Sequence, residues 1–190
     1  MILEGLVTTL DSDRELHLAP MGPECDPGQQ ELTLKPFRTA STATNLLSRG
    51  CGVFHVVDNV EWIARGAIGC WDEMPETKPA QHVDGRVLVD CCRWFEFEVM
   101  DIDQSSDRLR ISTRITNTQT HRPFWGFNRA KHAVLETAIV ATCLHLLERS
   151  TILEQLEHSR VLVEKTGGEQ EHLAWSLLQT YVENWYASSS

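Results

Sequence analysis

The stretch PFWGFNRAKHAVLE, residues 123–136, sets three aromatic rings directly before Asn128, Arg129 and Lys131. The run that follows has a helical period, so both cations stand in a helix's first turn, where they oppose the macrodipole. An anionic ligand would offset that cost, and so would a carboxylate from elsewhere in the fold. A second stretch, KPFRTASTATNLL, gathers Arg38, Thr39, Ser41, Thr42 and Thr44 around another helix start, with Lys35 close by. Backbone N–H groups at such a start, aided by the dipole, suit a phosphate. Hydroxyls and one arginine would complete its coordination. The competing reading is a simple helix cap in a Thr-rich loop.

Other chemistries find no support. Gly50-Cys51-Gly52 follows a helix and precedes a strand, the wrong order for a dinucleotide fingerprint. The sequence holds no P-loop and no nucleophile elbow. Its eight histidines lack metal spacing, and His55 stands out only because it interrupts an apolar strand. The six cysteines form no C-x-x-C pair, so no metal site is expected, and buried free thiols in a reducing compartment are. The net charge of −10, from 17 basic and 27 acidic residues, disfavours nucleic acid as a partner. No apolar run is long enough to span a bilayer. The opening MILEGLVTTL reads as a strand and not a signal peptide, so a cytoplasmic protein is expected.

The elements that must position these residues come in two halves. EGLVTTLD and ELHLAPMG flank Asp11–Arg14 as a hairpin. ELTLKPF is a third strand. STATNLLSRG is a short helix that Ser41 or Thr42 can cap and Gly50 can close. CGVFHVVD is a buried strand and NVEWIARGAIG a helix of about three turns. Residues 71–85, polar and with two prolines, read as a loop. RWFEFEVMDID and RLRISTRITN form a second hairpin, with Leu109, Ile111 and Ile115 on one face and Arg108, Arg110, Ser112 and Arg114 on the other. From Asn128 the period becomes helical as far as Leu147. Two more helices follow, split by Gly167-Gly168, before a tail, ASSS, that should fray. The layout is α+β: a small barrel or strongly bent sheet at 1–127, and a helical part at 128–190 packed on it.

The segments VTTLDSDRELHLAPMG and STATNLLSRGCGVFHVV resemble the FMN-binding split barrels, the flavin reductase-like superfamily. RPFWGFNRAKHAVLETAIVATCLHLL resembles one prokaryotic domain-of-unknown-function family within it, which joins the barrel to a helical C-terminus. The resemblance implies a homodimer with FMN near the subunit interface. Arg38, Thr39, Ser41 and Thr42 would hold the phosphate, and Asn45 would brace the loop. The main chain of Ala19, Pro20, Met21 and Gly22 would run along the isoalloxazine edge. His55 takes a strand position where flavin reductases often carry Asn facing the flavin. Asn128, Arg129 and Lys131 would lie near the flavin or a second ligand. The expected function is an FMN-dependent oxidoreductase with an electron donor such as NAD(P)H; a non-catalytic flavin-binding or cofactor-handling protein is the alternative, and a scaffold without FMN a third.

Overall fold

The computed structural model describes residues 1–188. They form two compact units, one of residues 1–57 with 74–124, the other of residues 58–73 with the chain from Trp125 onward.

The first unit is built on nine strands: β1 (Gly5–Leu10), β2 (Leu16–Met21), β3 (Glu24–Cys25), β4 (Glu31–Leu34), β5 (Cys51–Val56), β6 (Thr77–Pro79), β7 (Arg86–Leu88), β8 (Arg93–Asp103) and β9 (Arg110–Thr120). Seven make one antiparallel sheet in the order β2-β1-β5-β8-β9-β4-β3. Register shifts in the β8–β9 ladder at Glu96/Phe97 and Val99/Asp101 bend the long hairpin, as bulges do. The curl brings β3 back to the segment before β1. There Ile2 bridges Glu24, and the Cys25 N–H donates to the Met1 carbonyl at 2.7 Å. Val7, Phe54, Phe95, Phe97, Leu32, Leu34 and Ile111 fill the interior, with the Phe54 and Phe95 ring centres 6.1 Å apart. The helix α1 (Ser41–Arg49) adds Ala43 and Leu46 to that core. Each large side chain buried there contributes about 1.5–3 kcal/mol. Close strand contacts need Gly5, since a Cβ would lie 2.2 Å from the His55 carbonyl.

Two local expectations change. Neither Ser41 nor Thr42 caps α1. The N-cap is Ala40, with no side-chain hydrogen bond, because the helix starts at Ser41, one residue before a Ser41 cap and two before a Thr42 cap would allow. Gly50 does close α1 in the left-handed conformation, φ 68°. The segment 71–85 is not all loop: β6 pairs with β7 as a small separate sheet. The physical reason is that buried side chains of the main sheet need partners on that face. Thr8 donates to the Arg86 carbonyl at 2.5 Å, and the Leu88 N–H donates to His55.

The second unit holds α2 (Val60–Ile68), α3 (Arg129–Thr142), α4 (Arg149–Thr166) and α5 (Glu169–Ser188). Asn59 caps α2 by accepting the Trp62 N–H. The alanines at 130, 133, 138 and 141 are buried, as the wide small-residue face of α3 requires. Thr137 and Ser159 join α3 to α4 by a buried 2.8 Å hydrogen bond. The helix expected to run to Leu147 stops at Thr142. The Thr142 hydroxyl donates back to the Ile139 carbonyl, the Cys143 N–H turns to Val140, and a 3-10 turn follows over Leu144–Leu146. Of the tail expected to fray, Ala187 and Ser188 continue α5, while 189–190 lie outside the described residues.

Candidate flavin site

The start of α1 keeps its first-turn N–H groups clear of any capping side chain, and Thr39 and Ser41 are exposed beside it. Thr42 turns inward, where its hydroxyl meets His17 Nε2 at 3.1 Å. His17 lies on β2 and shares a face with Ala19 and Met21, so one contact ties the helix start to the strand carrying Ala19–Met21. Burial pushes the pKa of His17 down, which favours the neutral ring. The sequence reasoning missed this histidine. Its signal was the period of two that aligns it with Ala19 and Met21. Asn45 is buried and donates to Thr9 on β1 at 3.0 Å, holding α1 against the sheet. Pro20 sits on the edge strand, where a missing N–H is tolerated.

Arg38 is exposed. Its Nη2 donates to the carbonyls of Gln104 and Ser106 at the tip of the β8–β9 hairpin, and its own N–H donates to Asp107. The guanidinium is thus oriented with other donors to spare. Lys35, by contrast, is committed to Glu24 and drops out of the cluster. The α1 start, Arg38 and β2 therefore gather hydroxyls, backbone donors and one cation beside an edge strand, the groups that could hold an anion. Among the described residues no cluster of acidic, histidine or cysteine side chains has a metal-holding arrangement.

His55 is corrected. It is wholly buried, and its two ring nitrogens are both spent: Nδ1 on the Leu6 carbonyl at 3.2 Å and Nε2 on the Leu88 N–H at 3.1 Å. That pattern fixes the tautomer with the proton on Nδ1. Burial drives its pKa down to about 3, against a small opposing effect of the Leu6 carbonyl. No atom of this ring is left for a ligand; it ties β1, β5 and β7 together.

Lys131 lies in the first turn of α3. Its ammonium lies 2.8 Å from the Glu171 carboxylate and donates to the Asp58 carbonyl at 2.5 Å. The offsetting anion is a carboxylate of α5. Glu171 also accepts the Gly168 N–H at 2.7 Å. Asn128 is the N-cap of α3, accepting the Lys131 N–H at 3.1 Å and donating to the Thr166 carbonyl at 3.0 Å. Both amide ends thus serve the helices. Arg129 is exposed. Trp125 and Phe127 before it are 88% and 96% exposed, so these rings line no wall within their own unit.

The curled antiparallel sheet, with a short helix packed on β1 and β2, is a split β-barrel. The fold recurs in an FMN-bound protein from Methanosarcina mazei, 23% identical, with 95% of this chain and 94% of that one aligned at a TM-score of 0.80. It recurs with less coverage in the Pseudomonas fluorescens 2-nitrobenzoate 2-nitroreductase (18% identical, 62% and 64% of the two chains, TM-score 0.54) and in the styrene monooxygenase flavin reductase of Pseudomonas putida S12 (12%, 64% and 82%, 0.53). The chain belongs to the family of proteins of unknown function DUF447, whose N-terminal domain matches residues 3–122 and whose C-terminal part matches 128–180. No curated protein matches the sequence.

Proposed function

We propose that this protein binds FMN at the α1 start and along β2, and uses it as an oxidoreductase that takes electrons from NADH or NADPH. The carrying observation is the uncapped α1 start with Thr39 and Ser41 exposed, joined through Thr42 and His17 to the edge strand of Ala19–Met21. The backbone donors and hydroxyls suit the phosphate, and Arg38 supplies the charge. The relative from Methanosarcina mazei carries FMN, and several structural neighbours are flavin reductases, which supports the reading. The flavin would supply the hydride chemistry; this chain's residues would bind and orient it. Free cysteines throughout the described residues agree with a reducing, cytoplasmic setting.

Titration of the flavin-free protein with FMN and with riboflavin tests the site. FMN should bind at least tenfold more tightly, and a double change of Arg38→Ala and Ser41→Ala should abolish that preference. Equal affinity for riboflavin would remove the phosphate site. Bleaching of the bound flavin by NADH or NADPH under anaerobic conditions identifies the oxidoreductase. Bound flavin that neither donor reduces would instead mark a flavin-handling protein.

We also infer a homodimer. Phe124, Trp125 and Phe127 are each about half exposed or more, and Leu146, Leu153 and Leu173 add further exposed apolar surface. Light scattering at micromolar concentration should give twice the 21.6 kDa chain mass, and a particle of 21.6 kDa would refute it.

A further inference from the structure

Arg93 opens β8 and points to the inside of the barrel with Phe95 and Phe97. Its guanidinium carbon lies 4.6 Å from the centre of the Phe95 ring. Its Nε is buried and has no hydrogen-bond partner, and among the described residues the side chain has no ion pair. This occurs in a chain with 27 acidic residues against 17 basic ones. The residue as a whole is only partly buried, so its outer guanidinium donors stay open to a ligand, and a carboxylate or phosphate is the partner its planar fork fits.

The ladder registers show where this arginine stands. Val56 is its partner on β5 and Thr120 its partner on β9. One residue beyond the Leu6–His55 pair, the same row reaches Gly5, which pairs with Met21 of β2. Arg93 and Met21 thus belong to one row at one end of the sheet, roughly 14 Å apart over three strand spacings. The mouth of a barrel is a usual place for a small ligand.

We propose that Arg93 anchors the anionic group, a carboxylate or a phosphate, of the small molecule that meets the flavin beside Ala19–Gly22. The assignment of that molecule as the flavin's reaction partner rests on the FMN reading above; the anion site itself does not.

The test is calorimetric titration with benzoate, sulfate and inorganic phosphate, on the flavin-free protein and on the protein loaded with FMN. At least one anion should bind the wild type, at least tenfold more weakly to Arg93→Met, and with an intermediate Kd to Arg93→Lys. FMN affinity should stay unchanged, and Tm should not fall, since Arg93→Met removes a buried donor that has no acceptor. Preference for benzoate would assign a carboxylate, and preference for phosphate or sulfate a phosphoryl group. Equal anion binding by wild type and Arg93→Met, or none by either, overturns the proposal. So does a loss of FMN affinity without loss of riboflavin affinity, which would make Arg93 a ligand of the cofactor phosphate. Should Arg93→Met fail to fold, Arg93→Gln carries the same comparison. Failure of FMN to bind at all refutes the flavin reading while the anion titration still decides the site.

Discussion

Glu96→Gln should destabilise the barrel unit by about 2–6 kcal/mol, as two buried donors at a time lose their acceptor. The Glu96 carboxylate is wholly buried with no cation beside it. One oxygen accepts from Trp94 Nε1 at 3.3 Å and Asn117 Nδ2 at 2.9 Å; the other accepts from the backbone N–H groups of Gln81 and His82 at 3.0 and 2.6 Å. Glutamine has nearly the same shape. Whichever way its amide is turned, an NH2 group faces two donors. The loss should appear as a lower urea midpoint at unchanged slope, and as faster hydrogen exchange at the Gln81 and His82 amides. An unchanged urea midpoint together with unchanged protection of those two amides would refute the role assigned to Glu96.

The same residue predicts acid lability. Burial alone would raise its pKa, but the hydrogen bonds from His82, Asn117, Gln81 and Trp94 prevail and hold it below the usual glutamate range. A depressed carboxylate contributes stability that is present above its unfolded pKa and lost as pH falls through the folded one. His55 acts in the same direction. Its folded pKa of about 3 lies below the ordinary 6.5, so the unfolded chain takes up a proton first and stability falls progressively from about pH 6.5 downward. Unfolding free energies at pH 7, 5.5 and 4 should fall steadily for the wild type. The gap between wild type and Glu96→Gln should begin to narrow as pH falls into the usual glutamate range and close once pH passes below the depressed folded pKa.

Lys131→Ala should destabilise the helical unit by about 3–5 kcal/mol, because Glu171 would be left buried and uncompensated. The Lys131 and Glu171 side chains are 21% and 8% exposed, so solvent does little to screen the pair. For a chain of this length the loss corresponds to a Tm lower by roughly 6–20 °C. Lys131→Ala should leave FMN affinity unchanged, since the ammonium is already committed inside its own unit. A variant that keeps its Tm and loses flavin affinity would restore Lys131 to the binding site. Replacing both partners, Lys131→Met with Glu171→Leu, should recover much of the loss, as apolar replacements of buried ion pairs do.

Lys131 also shows how far residue types alone can carry the reading. Cations in a first helical turn announce that a negative partner exists, and the sequence is right on that point. It cannot say that the partner is Glu171, forty residues later, because the pairing depends on how α3 and α5 pack. His55 teaches the same lesson. A histidine in an apolar strand demands an explanation, but its satisfaction by Leu6 and Leu88 arises from the β1–β5 ladder and from β7, whose partner β6 is hidden in a polar, proline-bearing segment.

Legible in the residues alone, unlike the short strands β3, β6 and β7, were the longer strands β1, β2, β4, β5, β8 and β9, the helices α1 to α5, the Gly50 stop of α1, the inward and outward faces of β9, and the hydroxyl-rich helix start. Each is local: a period of two or 3.6, a glycine with positive φ, or a few neighbours along the chain. Only the tertiary structure decided which polar groups remain free for a ligand. Arg38 keeps donors to spare while Lys35 does not. Asn128 is spent on helix caps, His17 joins the α1 start to β2, and Arg93 stands inside the barrel without an acceptor. Those outcomes depend on contacts between residues far apart in sequence, where burial raises the cost of every unmatched donor and so selects its partner.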